Sequence, residues 1–526
     1  MMTTATTLEK TSLWIGIYLP QLPLETVLRG APSPEAWAVA EGDRILLADR
    51  KAEARGVRAG MLATAALALA PQLRIRARDT AAETESLLGL ATWTAQFTPS
   101  VALEFPDALL LEVSASLRLF GGVEKIVASL RKGLVELGFT ATLSHAPTAR
   151  AASWFARADI CAPPGAKSAS AALPRRPSGA TADMAASISV ASIDPMEKLR
   201  SDVATLPVRL LRGRADLPEA LANLGIATLG ELLALPRDGL ARRFGQGLLD
   251  QLDQALGELA DPRIFFTLPP RFHAGIELPA EITQAEALLF AGKRLLTQLA
   301  GFLTARSGGV QRFVFRLAHR EGRNTAIAIG LVAASRDADH FVLLLRERLG
   351  KLSLSEPVRV LSLDAEDIQA LAGANRNLLP DDKVASAASE WPQLIERLRA
   401  RLGVQAVHAI AVTPEHRPEN ASCPLAAEVK KPLREKLREN PQMQFAFGER
   451  PFWLLDAPRL LAEQNAVPLH EDGPLTLLAG PERIESGWWD GGDVKRDYFI
   501  ARTPREALLW VYRERQAGWY LHGIFS

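Results

Sequence analysis

The sequence has very little cysteine: its 526 residues include only Cys161 and Cys423. These two lie far apart and have no neighbours at the spacing of zinc ligands, which argues against a disulfide framework and against a cysteine-based metal site. The sequence also has no run of about 18 apolar residues, as a membrane-spanning helix would need. Its start, MMTTATTLEKTS, lacks the basic and apolar stretches of a signal peptide. We therefore expect a cytoplasmic protein without a membrane span.

Neither sign of charge is in excess, because 61 Lys and Arg residues face 60 Asp and Glu residues and leave a net charge of +1. This balance argues against a protein that binds nucleic acid over its whole surface, so any DNA contact must come from local basic patches. The 48% apolar and 23% charged residues are typical of globular proteins. At this length we expect three or more domains.

A β-hairpin is predicted near residue 105. Two short apolar runs, Val101–Phe105 and Leu109–Val113, flank Pro106 and Asp107, whose side chains favour a turn. On this pattern alone, Asp107 is a turn residue whose carboxylate bonds the adjacent backbone. Another apolar strand, Leu13–Leu19, is predicted near the start of the chain.

Together, the first strand and the hairpin resemble the two palm motifs of the Y-family (translesion) DNA polymerases. On the first motif, H-I-D-x-D-x-F-F-x-x-x-E, Glu25 keeps the final glutamate, whereas Gly16 and Tyr18 stand at the two acidic positions. On the second motif, S-x-D-E-x-x-L-D-V, Asp107 keeps the aspartate and Ala108 replaces the catalytic glutamate. The resemblance therefore implies that one of three metal-binding carboxylates is left.

The expected consequence is a loss of catalysis, because two-metal phosphoryl transfer needs carboxylates that hold two Mg²⁺ ions roughly 3.5–4 Å apart. Glu104 and Glu112 are the other candidate ligands, but strand alternation and the turn direct them away from a common ion. The resemblance is closest to a catalytically degenerate branch of the family, from bacterial damage-induced mutagenesis cassettes. It implies a protein that is not an enzyme and holds no metal or cofactor. An active Y-family translesion polymerase stays open as the alternative.

Two nucleotide-binding patterns of the family are also altered. Residues Asp49–Met61 resemble the fingers signature Y-E-A-R-x-x-G-V-x-x-G-M, but Arg50 replaces its tyrosine and Glu53 its arginine. An acidic side chain at that place repels a triphosphate. In the palm, the two lysines of an N-K-x-x-A-K pattern fall on Ala149 and Ser153. Both changes favour the degenerate interpretation.

Local basic patches are predicted in two later regions. Leu224–Pro236 resembles the thumb element L-G-I-x-T-x-G-x-L-x-x-L-P of a helix–hairpin–helix, a fold that binds DNA phosphates. Between residues 291 and 350, in the expected little finger, ten Lys or Arg face four acids. Ordinary solvated surface charge is the alternative for each residue. The candidate DNA-binding residues are Arg212, Arg214, Arg237, Arg242, Arg243, Arg312 and Arg316, of which the last two are predicted to share a strand face.

The last part of the chain changes in character. Residues 372–382 are polar and carry a Leu-Leu pair, at the place where Y-family relatives carry a sliding-clamp peptide. The candidate clamp-binding residues are Asn375, Asn377, Leu378 and Leu379. Short aromatic strands then predict a small β unit. Its Trp488-Trp489 pair is interpreted as core or partner-binding in preference to a base-stacking platform.

The predicted fold is α+β, a multidomain Y-family-like right hand followed by a small mainly-β region. The resemblance implies four partners: DNA, the β sliding clamp, a RecA-like companion and an error-prone C-family (DnaE-type) polymerase. A DNA-binding repair module without a clamp role is the second alternative. The expected divisions are a disordered start (1–12), palm (13–29 and 76–160), fingers (30–75), flexible connector (161–199), helix–hairpin–helix thumb (200–262), little finger (268–365), linker with the clamp peptide (366–388) and partner-binding region (389–526).

Overall fold

The structure, a computed structural model, describes residues 12–30, 33–158, 195–212, 217–320, 322–354, 356–371, 382–403, 406–425, 450–489, 491–514 and 518–525. Contacts divide the chain into two compact units, Met1–Ser389 and Glu390–Ser526. The first mixes helices and strands, and the second is mainly β, so the predicted fold class is confirmed. Within the described ranges, no helix is long and apolar enough to cross a membrane.

The chain begins with one strand and one helix and then forms a small three-stranded subdomain within the first unit. In this unit β2 is central, with β3 antiparallel and β4 parallel to it. Its separate core includes Ala38, Ile45 and Val57. The elements are β1 (Trp14–Tyr18), α1 (Leu22–Leu28), β2 (Trp37–Glu41), β3 (Arg44–Ala48), α2 (Arg50–Ala54), α3 (Ala63–Leu69) and β4 (Arg74–Ala77).

The strand β1 is an inner strand of a four-stranded sheet, whose order is β5-β6-β1-β7. The predicted hairpin is confirmed, because β5 pairs antiparallel with β6 through a turn that has a cis Phe105–Pro106 peptide. Ile15 and Ile17 face the core with α4 and α6, whereas Leu110 on the other face packs in the core that includes α7. The elements are α4 (Thr80–Thr94), β5 (Val101–Glu104), β6 (Ala108–Glu112), α5 (Leu117–Phe120), α6 (Val123–Leu137), β7 (Thr142–Ala146) and α7 (Ala149–Ala158).

A group of five helices shares the core of α7. Leu229 and Leu252 are buried there together with Trp154. A capping box starts α10: the Glu231 N–H donates to the Thr228 hydroxyl, and the Glu231 carboxylate accepts from the Thr228 N–H. The first of these five helices, α8, begins at Pro195, so the last residues of the predicted connector (161–199) are helical. The elements are α8 (Pro195–Ala204), α9 (Leu217–Ala222), α10 (Leu229–Leu233), α11 (Arg237–Phe244) and α12 (Gln246–Leu256).

A second sheet, in the order β10-β9-β11-β8 with β12 on β9, follows these helices. Phe313, Phe315 and Leu317 are buried on one face, and the alternate residues of β9 lie outward. The helix α13 also packs closely on α4, where a Cβ at Gly89 would lie 2.1 Å from the amide nitrogen of Gln298. The elements are β8 (Phe272–Ile282), α13 (Leu288–Ala305), β9 (Gly308–His319), β10 (Asn324–Ser335), α14 (Ala338–Leu349), β11 (Val358–Ala365) and β12 (Ile368–Ala370).

The C-terminal unit contains a seven-stranded sheet in the order β17-β16-β15-β21-β20-β19-β18, beside a β13–β14 hairpin. Both of its faces bury apolar side chains, Val511 in one cluster and Trp510 in the other. The elements from the unit boundary onward are α15 (Asp382–Leu402), β13 (Ala409–Val412), β14 (Ser422–Leu425), β15 (Trp453–Gln464), β16 (Val467–His470), β17 (Gly473–Pro474), β18 (Thr476–Ser486), β19 (Val494–Arg502), β20 (Leu508–Glu514) and β21 (Gly518–Ile524).

Candidate catalytic pocket and nucleic-acid interface

The four palm positions singled out in the sequence are neighbours at one end of the four-stranded sheet. Gly16 and Tyr18 share one face of β1, and Tyr18 lies opposite Ala108 on β6. Asp107 directly precedes Ala108, and its carbonyl accepts from the Leu19 N–H at 2.9 Å. The fold therefore gathers these positions into one pocket.

Gly16 has no room for any side chain. A Cβ at this residue would lie 2.3 Å from the Ala152 carbonyl oxygen and 2.7 Å from its carbon, both of which are backbone atoms of α7. Glycine is the residue that permits such a close backbone approach. A carboxylate at this position would therefore require α7 to move away from β1.

The carboxylate of Asp107 is already neutralised by arginines. Arg157 on α7 lies 2.8 Å from Asp107 Oδ1, and its guanidinium also stacks 4.5 Å above the ring centroid of Tyr18. Arg212 approaches the same carboxylate oxygen to 3.9 Å. Because guanidinium groups occupy its surroundings, a divalent cation near Asp107 would meet repulsion.

Glu104 is the buried acid of the pocket. It accepts a hydrogen bond from the Ser153 hydroxyl, and guanidinium nitrogens of Arg150 and Arg263 lie 3.6 and 3.8 Å from its carboxylate. Burial alone would raise the pKa of Glu104, but the Ser153 hydrogen bond and the nearby arginines hold it below its usual value. The Glu104 side chain is therefore ionised and fully engaged by the protein.

The third candidate acid, Glu112, is distant from this pocket. It ends β6, five residues beyond Asp107, which corresponds to about 16 Å along a strand. Its carboxylate accepts from the Ser114 N–H at 3.0 Å. Glu112 therefore does not complete a metal site with Asp107.

The residues of the pocket do not fit a two-metal centre. Among the described residues, no group of three or more His, Cys, Asp or Glu side chains could hold a metal ion. Motif comparison missed two of the pocket residues, Asp261 and Arg263, because they lie outside the family patterns. The pocket combines four arginines with three acids: Arg150, Arg157, Arg212 and Arg263 with Glu104, Asp107 and Asp261.

The predicted thumb arginines differ in their surroundings. Arg212 donates to the Phe105 carbonyl at 3.1 Å and thus contacts the palm hairpin. Arg237 binds the two carboxylate oxygens of Asp253 at 2.8 and 2.6 Å. Arg242 and Arg243 lie on the exposed end of α11, whereas Arg214 is outside the described residues. Of these residues, Arg242 and Arg243 are the better placed to reach a phosphate.

The outward face of the second sheet carries both predicted arginines of β9. Arg312 and Arg316 are exposed on the same face, as alternation requires. Arg316 donates to Asp364 at 2.7 Å, and His273 Nδ1 lies 2.6 Å from the other oxygen of that carboxylate. Burial alone would raise the pKa of Asp364, but these two hydrogen bonds lower it. An acid therefore lies on this face, a feature that the count of basic residues did not include.

The remaining predicted residues are the clamp peptide and the Trp488-Trp489 pair. The clamp-peptide residues Asn375, Asn377, Leu378 and Leu379 lie outside the described residues. Trp488 and Trp489 are 78% and 57% exposed, so the core interpretation of this pair is wrong.

Comparisons with known proteins agree with the resemblance seen in the palm. Residues 28–157 match the family model described as IMS: impB/mucB/samB family. In an alignment 499 residues long that covers 90% of this chain and 100% of the relative, the sequence is 28% identical to Protein ImuB from Caulobacter vibrioides, in strains NA1000/CB15N and CB 15. The predicted resemblance is thus confirmed by a relative named ImuB and by a match to the IMS (impB/mucB/samB) family model.

Two solved structures are similar to this chain at low identity. The insertion ternary complex of Dbh DNA polymerase has 16% sequence identity and a TM-score of 0.35, and the match covers 68% of this chain and 100% of that one. DinB from Sulfolobus solfataricus has 16% identity and a TM-score of 0.34, with the same two coverages.

Proposed function

Because the chain is similar to ImuB over nine-tenths of its length, we propose that it is a non-catalytic, Y-polymerase-like adaptor in DNA-damage-induced translesion synthesis and mutagenesis. In this role it binds DNA and the β sliding clamp and recruits an error-prone C-family (DnaE-type) polymerase, which performs the synthesis. A RecA-like ImuA protein is the further partner. The protein itself needs no cofactor and makes no membrane contact.

The close contact between Gly16 and α7 is the observation that carries this proposal. Two-metal phosphoryl transfer depends on carboxylates that bring both ions to the reacting oxygens. Here the backbone of Ala152 lies 2.3 Å from where the first atom of such a side chain would begin. The retained Asp107 is paired with Arg157 at 2.8 Å. Catalysis would thus need both a new ligand and a rearranged helix.

A primer-extension assay tests the absence of catalysis. With a primed template, all four deoxynucleotides and either Mg²⁺ or Mn²⁺, we expect no incorporation by the purified chain. The control variant Asp107→Ala should behave in the same way. Incorporation that Asp107→Ala abolishes would contradict the proposal and favour an active polymerase that uses Asp107, Glu104 and Glu112.

The clamp role has a separate test. The Leu378→Ala and Leu379→Ala double variant should no longer be retained by immobilised β clamp, because these two leucines are the proposed apolar anchors. The double variant Leu477→Ala and Leu478→Ala, at two exposed leucines in the other unit, is the matched control. Equal retention of the clamp-peptide variant and the wild type would show that this peptide is not the clamp-binding segment. Failure of the wild type to bind the clamp, with DNA binding intact, would favour a DNA-binding repair module without a clamp role.

A further inference from the structure

The connection between β18 and β19 carries two adjacent exposed tryptophans, which we call the tryptophan tip (Trp488 and Trp489). Their side chains are 78% and 57% exposed. The two rings contact each other edge to face, with centroids 5.5 Å apart and an interplanar angle of 85°. Large aromatic side chains exposed side by side mark interaction sites more often than ordinary surface.

The loop beneath the tryptophan tip is held in place by the protein. Gly487 has a φ of +84°, and a Cβ there would lie 2.2 Å from the Gly492 carbonyl oxygen. The buried Arg417 donates to that same carbonyl at 3.3 Å and to Glu415 at 2.8 Å. Ser486 also donates to Glu415, at 3.0 Å. Flanking residues that are held in this way reduce the ordering cost of binding.

The ionisation of Glu415 keeps this arrangement intact over a wide pH range. Hydrogen bonding to Arg417 is the main cause that lowers the pKa of Glu415 to about 2. The carboxylate is therefore charged at any pH at which the protein is used.

The charges around the tip disfavour a nucleic acid. In the described part of the hairpin, each Lys or Arg is paired with an acid: Lys495 lies 3.8 Å from Asp493, and Arg496 lies 2.8 Å from Glu419. Arg483 is paired with Asp497 at 2.7 Å. Proteins that stack single-stranded bases on aromatic side chains also provide a positively charged groove for the phosphates. The tip has the aromatic part of such a site, but the cations described around it are already bound to acids.

We propose that the tryptophan tip is the anchor by which the C-terminal unit binds a protein partner, whose surface offers an apolar pocket with a basic rim. Tryptophans at the centre of an interface are among the residues that contribute most to affinity. The acids Glu485 and Asp493 beside the tip match a basic rim. The inference rests on the proposed function, which assigns partner proteins to this region of the chain.

Calorimetric titration of the full-length chain tests this inference, with the purified C-family polymerase and the purified RecA-like protein as separate probes. The double variant Trp488→Ala and Trp489→Ala should bind one of them about thirtyfold more weakly, as expected for loss of an aromatic hot spot. The matched control is Trp453→Ala, because Trp453 is 69% exposed and lies at the opposite end of the same sheet, paired with Ile524. Asp493→Lys should also weaken the same complex.

Three results would contradict the inference, and they differ in what they say about the proposed function. Wild-type affinity of the tip variant for both probes would overturn the inference while leaving the adaptor function in place. Absence of binding by the wild type to either probe would contradict the proposed partners and the inference together. A tip variant that loses affinity for single-stranded DNA, but keeps both protein complexes, would identify nucleic acid as the occupant and overturn the inference.

Discussion

Replacing Gly16 by alanine is the most direct test of how the palm pocket was closed. The added Cβ would lie 2.3 Å from the Ala152 carbonyl oxygen, where ordinary contacts begin at 3.4 Å. The overlap is therefore about 1 Å, and the opposing atoms belong to the backbone of a packed helix that cannot rotate away. Overpacking of this kind costs 1–3 kcal/mol in general, so we expect Gly16→Ala to lower the free energy of unfolding by about 3 kcal/mol. Gly16→Asp should cost more, since it also buries a charge.

Urea unfolding of the full-length chain, followed by far-UV circular dichroism, measures this loss as a lower midpoint of the transition of the first unit. Gly330→Ala is the matched control, because Gly330 also lies in a strand and a Cβ there would meet nothing within 4 Å. It should stay within about 0.5 kcal/mol of the wild type. Wild-type stability of Gly16→Ala would refute the close contact with α7. A stable Gly16→Asp that binds Mg²⁺ would refute the argument against catalysis as well.

Four further predictions concern charged side chains. Glu104→Gln should lower the free energy of unfolding by about 3 kcal/mol, because it removes one of the two buried carboxylates that Arg150 and Arg263 share, Asp261 being the other; an unchanged urea midpoint would contradict this role. Burial is the main cause that raises the pKa of Glu25 from 4.5 to about 7, so the stability that this carboxyl contributes is fully present below pH 4.5 and is lost as the pH rises through 7. Between those limits the unfolding free energy should fall by up to about 3 kcal/mol, and Glu25→Gln should lack this slope. In DNA titrations followed by fluorescence anisotropy, Arg312→Ala should weaken binding about fivefold and lower the salt slope by about one. Asp364→Asn should strengthen binding, because it releases Arg316; unchanged binding by both variants would show that this sheet face does not contact DNA.

Local patterns in the sequence were sufficient for much of the palm. The hairpin around Asp107 and the strand that carries Gly16 and Tyr18 are found as predicted, because apolar alternation and turn residues act over a few neighbouring positions. The replacement of metal-binding acids by glycine, tyrosine and alanine is likewise visible without any coordinates. The helix Val123–Leu137 is another example, because its buried apolar residues recur at helical spacing, which is a local pattern.

Other parts of the site depended on contacts between distant segments. Arg263 follows α12 in the sequence, yet its guanidinium lies 3.8 Å from the carboxylate of Glu104, the last residue of β5. Asp364 is 48 residues from Arg316, and only strand pairing brings the two together. A count of charges along the chain treats such residues independently, so it overestimated the basic character of the second sheet.

The sequence by itself determined that Gly16, Tyr18 and Ala108 stand where the resembled motifs have acids, since this is a matter of residue identity at aligned positions. Only the tertiary structure decided that the loss cannot be reversed at one position, because the space for a side chain at Gly16 is occupied by the backbone of α7. It also decided that the paired tryptophans of the C-terminal unit face solvent. In both cases the deciding quantity is the space around a side chain, which is set by segments remote in the chain and leaves no trace in the local pattern.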